Sequence, residues 1–239
     1  MAMNRTEIVC VVFVLIIAAI AVTACAILNQ NGDDEKSVKD CMDSVVEIKC
    51  ESSGEKSYGT GFIIDQDGPK VITCAHVVTH TVTDKKQSHD SIQCSFYNSD
   101  ESHQLNMICF DSEKDIAVLS FESQPDKVSC IAFSEDNTDY GDKAYVIGNS
   151  MNYGLSVKDG LVSVPKLTVV KDNAKRDCIM ISVSINSGDS GAPIIDSDNR
   201  VIGMVSFRLR DSGTTIQGMG YGVLTSDIVS YLYNVADTH

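Results

Sequence analysis

One segment, residues 186–193 with the sequence NSGDSGAP, has the residue types of a nucleophilic loop. Gly188 lets the chain turn so that the backbone N–H groups of Gly188 and Ser190 can point at one spot. Such donors bind the negative oxygen that forms when a nucleophile attacks a carbonyl carbon, and each is worth about 10²–10³ in rate. An ordinary surface turn also contains Ser, Gly and Asp. The prediction of a nucleophile therefore depends on matches elsewhere in the chain.

A histidine and an aspartate supply those matches. The segment VITCAHVV places His76 directly after a hydrophobic run and beside small residues, where an imidazole can face a cleft. Asp115 opens the apolar run IAVLSF, and a carboxylate there costs desolvation free energy unless it has a partner. Taken singly, each also fits a plain structural role, as a core histidine or a turn aspartate. The remaining histidines lack this context and are interpreted as surface residues: His80, His89, His103 and His239.

Short β-rich runs separated by turn residues must position these side chains. The predicted strands are residues 45–49, 60–65, 71–73, 92–97, 105–110, 116–121, 144–147, 160–164, 178–184, 201–207 and 220–224. Their spacing predicts antiparallel strands in a barrel or sandwich, since no amphipathic helix alternates with them. Thr225 or Ser226 can then cap a helix with one apolar side. The predicted class is an all-β body that closes with a short C-terminal helix.

In chain order, these segments resemble the trypsin-like serine peptidase superfamily, and specifically the HtrA/DegP-type peptidase domain. The resemblance runs from about residue 44 to about residue 232. It rests on the segments 58–62 (YGTGF), 73–76 (TCAH), 111–119 (DSEKDIAVL), 141–142 (GD), 146–149 (VIGN), 160–163 (GLVS), 186–193 and 220–222 (GYG). The order His, Asp, Ser is that of the chymotrypsin-like fold. About 15 residues follow Leu224, too few for the PDZ domain that HtrA proteases usually carry there.

The resemblance implies a chymotrypsin-like double β-barrel and a serine endopeptidase that needs no cofactor. His76 and Asp115 would come from the first barrel and Ser190 from the second, with the N–H groups of Gly188 and Ser190 as the oxyanion hole. The alternative is a latent or inactive module on the same fold that binds peptides or partners. Esterase chemistry shares the triad, but the chain lacks the Gly-x-Ser-x-Gly elbow between a strand and a helix.

The chain departs from the HtrA pattern at Asp189, where HtrA loops tend to have asparagine. In digestive enzymes of the superfamily this aspartate pairs with a newly cut amino terminus. No Ile-Val-Gly-Gly-like activation site lies near residues 41–47, so Asp189 is expected to be exposed or to stabilise the loop in another way. Alignment with the family predicts a substrate pocket formed by Ser184, Ser206, Phe207, Arg208 and Gly220.

This pocket predicts a preference for small or medium apolar side chains. Ser184 stands where trypsin-type enzymes keep the aspartate that selects Lys or Arg. The basic Arg208 at the rim leaves open a preference for an acidic side chain.

Residues 8–28 form a run of 21 residues without a charge, long enough to cross a hydrocarbon core of ~30 Å. Arg5 precedes the run and acidic residues 33–35 follow it, which predicts a cytoplasmic N-terminus and an exported domain, extracellular or periplasmic. The predicted organisation is a transmembrane segment (1–28), a linker (29–40) and a peptidase domain (41–239). An uncleaved anchor is the first interpretation; signal-peptide cleavage near Ala24 and lipidation at Cys25 stay open.

Charge and cysteine content restrict the partners. The chain has 19 lysines and arginines and 33 aspartates and glutamates, so its formal net charge is 19 − 33 = −14. The resulting negative potential repels phosphate backbones and disfavours nucleic acid as a partner. Seven cysteines follow residue 30, and none has zinc-ligand spacing, so no metal is expected. Cys41 and Cys50 could close a hairpin disulfide. The expected partners are polypeptide substrates and, from the resemblance, further copies of the chain in a trimer.

Overall fold

The computed structural model describes residues 37–83, 85–171, 174–207, 210–211, 214–215 and 218–236. The strands are β1 (Val45–Ser52), β2 (Glu55–Asp65), β3 (Pro69–Thr73), β4 (Thr79–Val82), β5 (Lys85–Ser88), β6 (Ser91–Phe96), β7 (Ser102–Asp111), β8 (Ile116–Phe121), β9 (Lys143–Gly148), β10 (Ser156–Lys171), β11 (Ala174–Ile181), β12 (Pro193–Ile195), β13 (Val201–Phe207), β14 (Arg210–Asp211), β15 (Thr214–Thr215) and β16 (Gly220–Leu224). The α-helices are Ala75–Val78 and Thr225–Ala236, and the 3-10 helices are Val38–Ser44 and Ser150–Asn152.

Two closed six-stranded barrels organise these strands. The first has the strand order β1-β2-β3-β8-β7-β6 and the second the order β10-β11-β16-β13-β12-β9. Neighbouring strands are antiparallel in both barrels. Closure leaves no unpaired edge strand in either barrel. The predicted all-β double barrel with a C-terminal helix is confirmed.

Side-chain burial follows the two-residue period of a strand. In β1, Ile48, Cys50 and Ser52 are buried while Lys49 and Glu51 are exposed, because one face fills the barrel and the other meets water. All seven residues of Val201–Phe207 (β13) are buried. The inner face of this strand fills the second barrel, and Val201 and Met204 join the hydrophobic core of the first barrel and of the C-terminal helix. The core of the first barrel therefore extends through β13 to the C-terminal helix, while the interior of the second barrel forms a cluster of its own.

Each predicted strand is present, and the structure adds elements that hydrophobic patterning did not indicate. The hairpin β4–β5 is too polar to stand out, since both strands are mostly exposed. Strand β12 has only three residues and directly follows the Ser190 loop. No helix in the described part of the chain is long and apolar enough to cross a membrane. The predicted span at residues 8–28, with Cys25, lies outside the described residues.

Buried thiols take the place of the suggested disulfide. Cys50, Cys94, Cys109, Cys130 and Cys178 are free thiols, so the bridge between Cys41 and Cys50 is not formed. Burial raises the pKa of Cys50 and of Cys94 to about 12 in each case. These two thiols stay protonated at neutral pH and act as small apolar side chains of the core.

Val71 and Val170 test how much stability the barrel interior contributes. Val71 is fully buried in β3, whereas Val170 is 68% exposed in β10. Val71→Ala is expected to lower the free energy of unfolding by about 2 kcal/mol, because two methyl groups are lost and a cavity remains. Val170→Ala is the matched control and should change it by less than about 0.5 kcal/mol. Urea denaturation measures both, and equal losses would contradict the described burial.

Candidate active site

His76 and Asp115 meet at the ends of two neighbouring strands of the first barrel. Thr73 ends β3, and the single helical turn Ala75–Val78 that follows holds His76 with its side chain 42% exposed. Asp115 directly precedes β8, which pairs with β3, and its φ of 62° lies in the left-handed region. The antiparallel pairing places the end of one strand beside the start of the other. The imidazole is therefore open to solvent, while the carboxylate beneath it is buried.

Four hydrogen bonds hold the Asp115 carboxylate. His76 Nδ1 lies 2.8 Å from Oδ2 and 3.0 Å from Oδ1, and the backbone N–H of His76 donates to Oδ1 at 3.0 Å. The hydroxyl of Ser206, in β13 of the second barrel, donates to Oδ2. Burial alone would raise the pKa of Asp115, but the bonds and charge of His76 and the bond from Ser206 outweigh it and lower the pKa. Asp115 is thus an anion at neutral pH, and it fixes the proton of the imidazole on Nδ1.

The Ser190 loop contains two backbone N–H groups without acceptors. The φ of Gly188 is +92°, and a Cβ there would lie 2.1 Å from the carbonyl oxygen of Asn149. Only glycine fits this conformation and this contact. In the hydrogen-bond network of the described residues, the N–H groups of Gly188 and Ser190 have no acceptor, although their neighbours Asp189 and Gly191 do. No hydrogen bond joins the Ser190 hydroxyl to His76 in this structure.

Thr60 of the first barrel binds this loop from below. Its N–H donates to the carbonyl of Ser190 at 2.9 Å, and its hydroxyl donates to the carbonyl of Gly188 at 2.7 Å. The hydroxyl also accepts from the N–H of Asn149 at 3.0 Å. Both loop carbonyls are therefore turned away from the side on which an oxyanion would sit. The Gly188 and Ser190 N–H groups are oriented by the carbonyls of their own peptides, since the Ser187 carbonyl accepts from the N–H of Met151 at 2.7 Å and the Asp189 carbonyl from that of Ala192 at 2.9 Å.

Asp189 is fully buried beneath the loop and is paired with an internal cation. Its carboxylate forms an ion pair with Lys158 of β10, whose side chain is 20% exposed. The carboxylate also accepts from the Ser150 hydroxyl at 2.8 Å and from the N–H of Asn186 at 2.7 Å. Of the two outcomes expected for Asp189, exposure is wrong, and the loop is stabilised in another way. The second barrel itself supplies the cation that digestive enzymes take from a new amino terminus.

The predicted pocket residues have mixed surroundings. Ser184 is exposed, and Gly220 is buried with room for no Cβ, because that atom would lie 2.5 Å from Cγ1 of Ile185. Phe207 stacks on Tyr221 with ring centroids 5.4 Å apart. Arg208 lies outside the described residues. The assignment of these side chains to a substrate pocket stays a prediction.

One trio of potential metal ligands occurs among the residues that the structure describes. The ligand atoms of Cys74, His76 and Asp115 lie within 4.8 Å of one another. Asp115 is already bound to Nδ1 of His76, and the Cys74 thiol donates to the carbonyl of Val205 at 3.2 Å. A metal here would have to displace the bond that orients the imidazole.

Sequence analysis missed three residues that organise the site. Thr60 lies in a segment that contributed to the resemblance, but nothing in the sequence indicated its two loop contacts. Lys158 is 31 residues from Asp189 and lies in a strand, so no local pattern links them. Asn149, which donates to Glu47 at 2.6 Å, was quoted in the VIGN segment without a role. The one signal in the sequence was Asp189 itself, because no lysine or arginine lies close to it in the chain to pair with its carboxylate.

The sequence model of the trypsin-like peptidase domain matches residues 59–204, more than half of the chain. The chain belongs to this family. Among curated relatives, a probable periplasmic DegP-like serine endoprotease of Chlamydia pneumoniae is 29% identical over 172 residues, and DegP of Escherichia coli K12 is 27% identical over 182 residues. These matches cover 72% and 73% of this chain but only 33% and 36% of the relatives. Membership confirms the predicted family, that of the trypsin-like peptidase domain.

Solved structures show the same fold at low sequence identity. The active form of the Rv3671c protease of M. tuberculosis has a TM-score of 0.70 and 21% identity, covering 84% of this chain and 85% of that chain. The HtrA-type protease AlgW with a tripeptide also has a TM-score of 0.70, at 23% identity, covering 83% of this chain and 62% of that chain. The trypsin-like peptidase domain of this chain thus has the same fold as these two proteases.

Lys158→Met tests the internal ion pair. The variant leaves a buried carboxylate without its cation, so the free energy of unfolding should fall by about 3–5 kcal/mol. Labelling of Ser190 by a fluorophosphonate should slow at least tenfold, because the loop loses its anchor. Adding Asp189→Asn to Lys158→Met should recover part of the stability. Lys143→Met, which breaks the exposed pair with Asp159, is the control and should change neither quantity measurably. Unchanged stability in Lys158→Met would contradict this interpretation.

Thr60→Val tests the contact between the barrels and the loop. Valine has the shape of threonine but cannot donate to Gly188 or accept from Asn149, so buried polar groups lose partners at a cost of about 1–3 kcal/mol. The rate of fluorophosphonate labelling is expected to fall by about 10-fold or more. Thr60→Ser keeps the hydroxyl and should retain most of the rate. If serine and valine behave alike, the hydroxyl has no part in holding the loop.

Proposed function

We propose that this chain is a membrane-anchored serine endopeptidase that hydrolyses peptide bonds through an acyl-enzyme on Ser190. One observation carries the proposal. The imidazole of His76 is held by a buried, ionised Asp115 at the barrel junction, where the Ser190 loop presents two N–H groups without acceptors. This combination supplies a base, an orienting anion and an oxyanion site for one serine.

Acylation uses each group in turn. The Ser190 hydroxyl rotates toward His76, its oxygen bonds to the substrate carbonyl carbon, and its proton moves to Nε2. The carbonyl oxygen becomes an anion that accepts from the N–H groups of Gly188 and Ser190. Asp115 stabilises the imidazolium without taking its proton. The C–N bond then breaks, and Nε2 returns the proton to the departing amine.

Deacylation repeats these steps with water. Nε2 takes a proton from a water molecule while the water oxygen attacks the ester carbon. The second oxyanion uses the same two N–H groups. When the bond from the acyl carbon to Ser190 breaks, the proton passes to the serine oxygen and restores the hydroxyl. Metal and cofactor are not needed for any of these transfers.

The cellular setting follows from residues 8–28 and from the relatives. The uncharged run and the flanking charges support an anchor with the catalytic domain, residues 41–239, outside the membrane. The DegP relatives are named as periplasmic endoproteases, which supports an extracellular or periplasmic site of action on polypeptides. The proposal includes a trimer of this chain, because HtrA proteases, which the chain resembles, are often trimers.

The alternative of a latent binding module depends on an oxyanion loop that is not ordered without an activator. The hydrogen bonds of Thr60 and the ion pair of Asp189 argue against it, because they hold the loop in the protein as it stands. The absence of a bond between Ser190 and His76 does not favour the alternative, since such bonds are often long in the absence of substrate and tighten when it binds.

Fluorophosphonate labelling of residues 30–239 tests the proposal. The wild-type protein should label, because the probe requires a serine that its base activates. Ser190→Ala and His76→Ala should not label above background. Asp115→Asn should slow the reaction about 10⁴-fold through the wrong imidazole tautomer. A folded wild-type protein that stays unlabelled would overturn a constitutively active enzyme and leave the peptide-binding module.

A further inference from the structure

A small pocket borders His76. Its volume is about 120 Å³, and its walls include His76, Asp115, Ser112, Lys86 and Arg176. Neither Ser190 nor Gly188 contributes to it. A group in this pocket would therefore contact His76 but would not be the carbonyl that Ser190 attacks.

Arg176 has hydrogen-bonding capacity that the protein leaves unused. Its Nη2 donates to the carbonyl of Ser112 at 3.3 Å, while its Nε is buried and has no partner. None of the ion pairs of the described residues includes Arg176. A guanidinium offers five N–H donors, and burying some of them without acceptors costs free energy. The guanidinium thus has N–H donors that the described residues do not use.

The charges around Arg176 favour an anion at this point. In the pocket, Lys86 and Arg176 face one carboxylate, Asp115, which is already bound to His76 and Ser206. A larger cavity of about 380 Å³ on the other side of Arg176 balances its own charges, three basic against three acidic. These are Lys114, Lys175 and Arg176 against Glu113, Asp177 and Asp227.

Asp177, the acidic neighbour of Arg176 in sequence, is turned elsewhere. Its carboxylate accepts from the Thr168 hydroxyl at 2.6 Å and pairs with Lys166 at 3.0 Å. Local positive charge therefore persists beside His76 in a chain whose net charge is −14.

We propose that Arg176 is a specificity-determining residue that binds a carboxylate side chain of the substrate, Asp or Glu, flanking the cleaved bond. The inference rests on the proposed peptidase function and names its substrate class. The planar guanidinium fits a carboxylate through two parallel hydrogen bonds, and Lys86 adds a second positive charge at the opening. The predicted pocket that includes Ser184 is expected to bind a small or medium apolar side chain, which would be a different side chain of the same substrate.

Matched peptides test this proposal. A set of internally quenched peptides with one common cleavage site carries Glu, Gln or Lys at each flanking position in turn. Wild-type protein should cleave the Glu peptide at least tenfold faster than the Gln peptide, in kcat/KM, at one position. Arg176→Gln should reduce this ratio to within about twofold, and Arg176→Glu should shift the preference to Lys. Arg200→Gln removes a cation outside the pocket and should leave the ratio unchanged.

The outcomes separate this inference from the proposed function. Cleavage of all peptides without a preference for Glu overturns the role of Arg176 and leaves the endopeptidase intact. A Glu preference that persists in Arg176→Gln also overturns it. The Ser190→Ala variant separates binding from cleavage. Fluorescence anisotropy measures its affinity for fluorescent Glu and Gln peptides. Equal affinities there overturn the inference even if the wild-type protein fails to cleave any peptide.

Discussion

The proposed mechanism requires that two backbone N–H groups, those of Gly188 and Ser190, stay without acceptors in the folded protein. Protein interiors normally pair such donors, because an unsatisfied one costs free energy. Here the carbonyls of the same two peptides, Ser187 and Asp189, accept from the N–H groups of Met151 and Ala192, so these peptides cannot rotate to satisfy their own N–H groups. Thr60 binds the carbonyls of Gly188 and Ser190 and holds the rest of the loop. The cost of the open donors is offset by bonds that reach across from the first barrel.

The barrel junction therefore works as a single unit. Asp115 of the first barrel receives the hydroxyl of Ser206 from the second, and Thr60 of the first binds the loop of the second. The apolar core of the first barrel continues through β13 of the second to the C-terminal helix. The Asp115 carboxylate and the Ser190 loop are thus each held by a residue of the opposite barrel, so a small shift between the barrels would displace both.

The sequence indicated much of this arrangement. Short β-rich runs bounded by turn residues predicted nearly all the barrel strands. Glycines at 188 and 191 marked a sharply turning loop. Contacts between distant strands were beyond prediction. Thr60 and Lys158 look like ordinary strand residues, and only the closure of the barrels brings them to the loop. The polar hairpin β4–β5 escaped notice because it has little apolar surface to bury.

The ion pair between Lys158 and Asp189 also determines at which stage of folding the Ser190 loop is stabilised. Lys158 is part of a strand of the same barrel, so the charge that steadies the loop arrives as soon as that barrel closes. No second event, such as a cut elsewhere in the chain, is needed to deliver it. For the proposed peptidase, restraint would then come from its surroundings: the membrane that holds it, the polypeptides that reach its cleft, and the time for which those polypeptides stay unfolded.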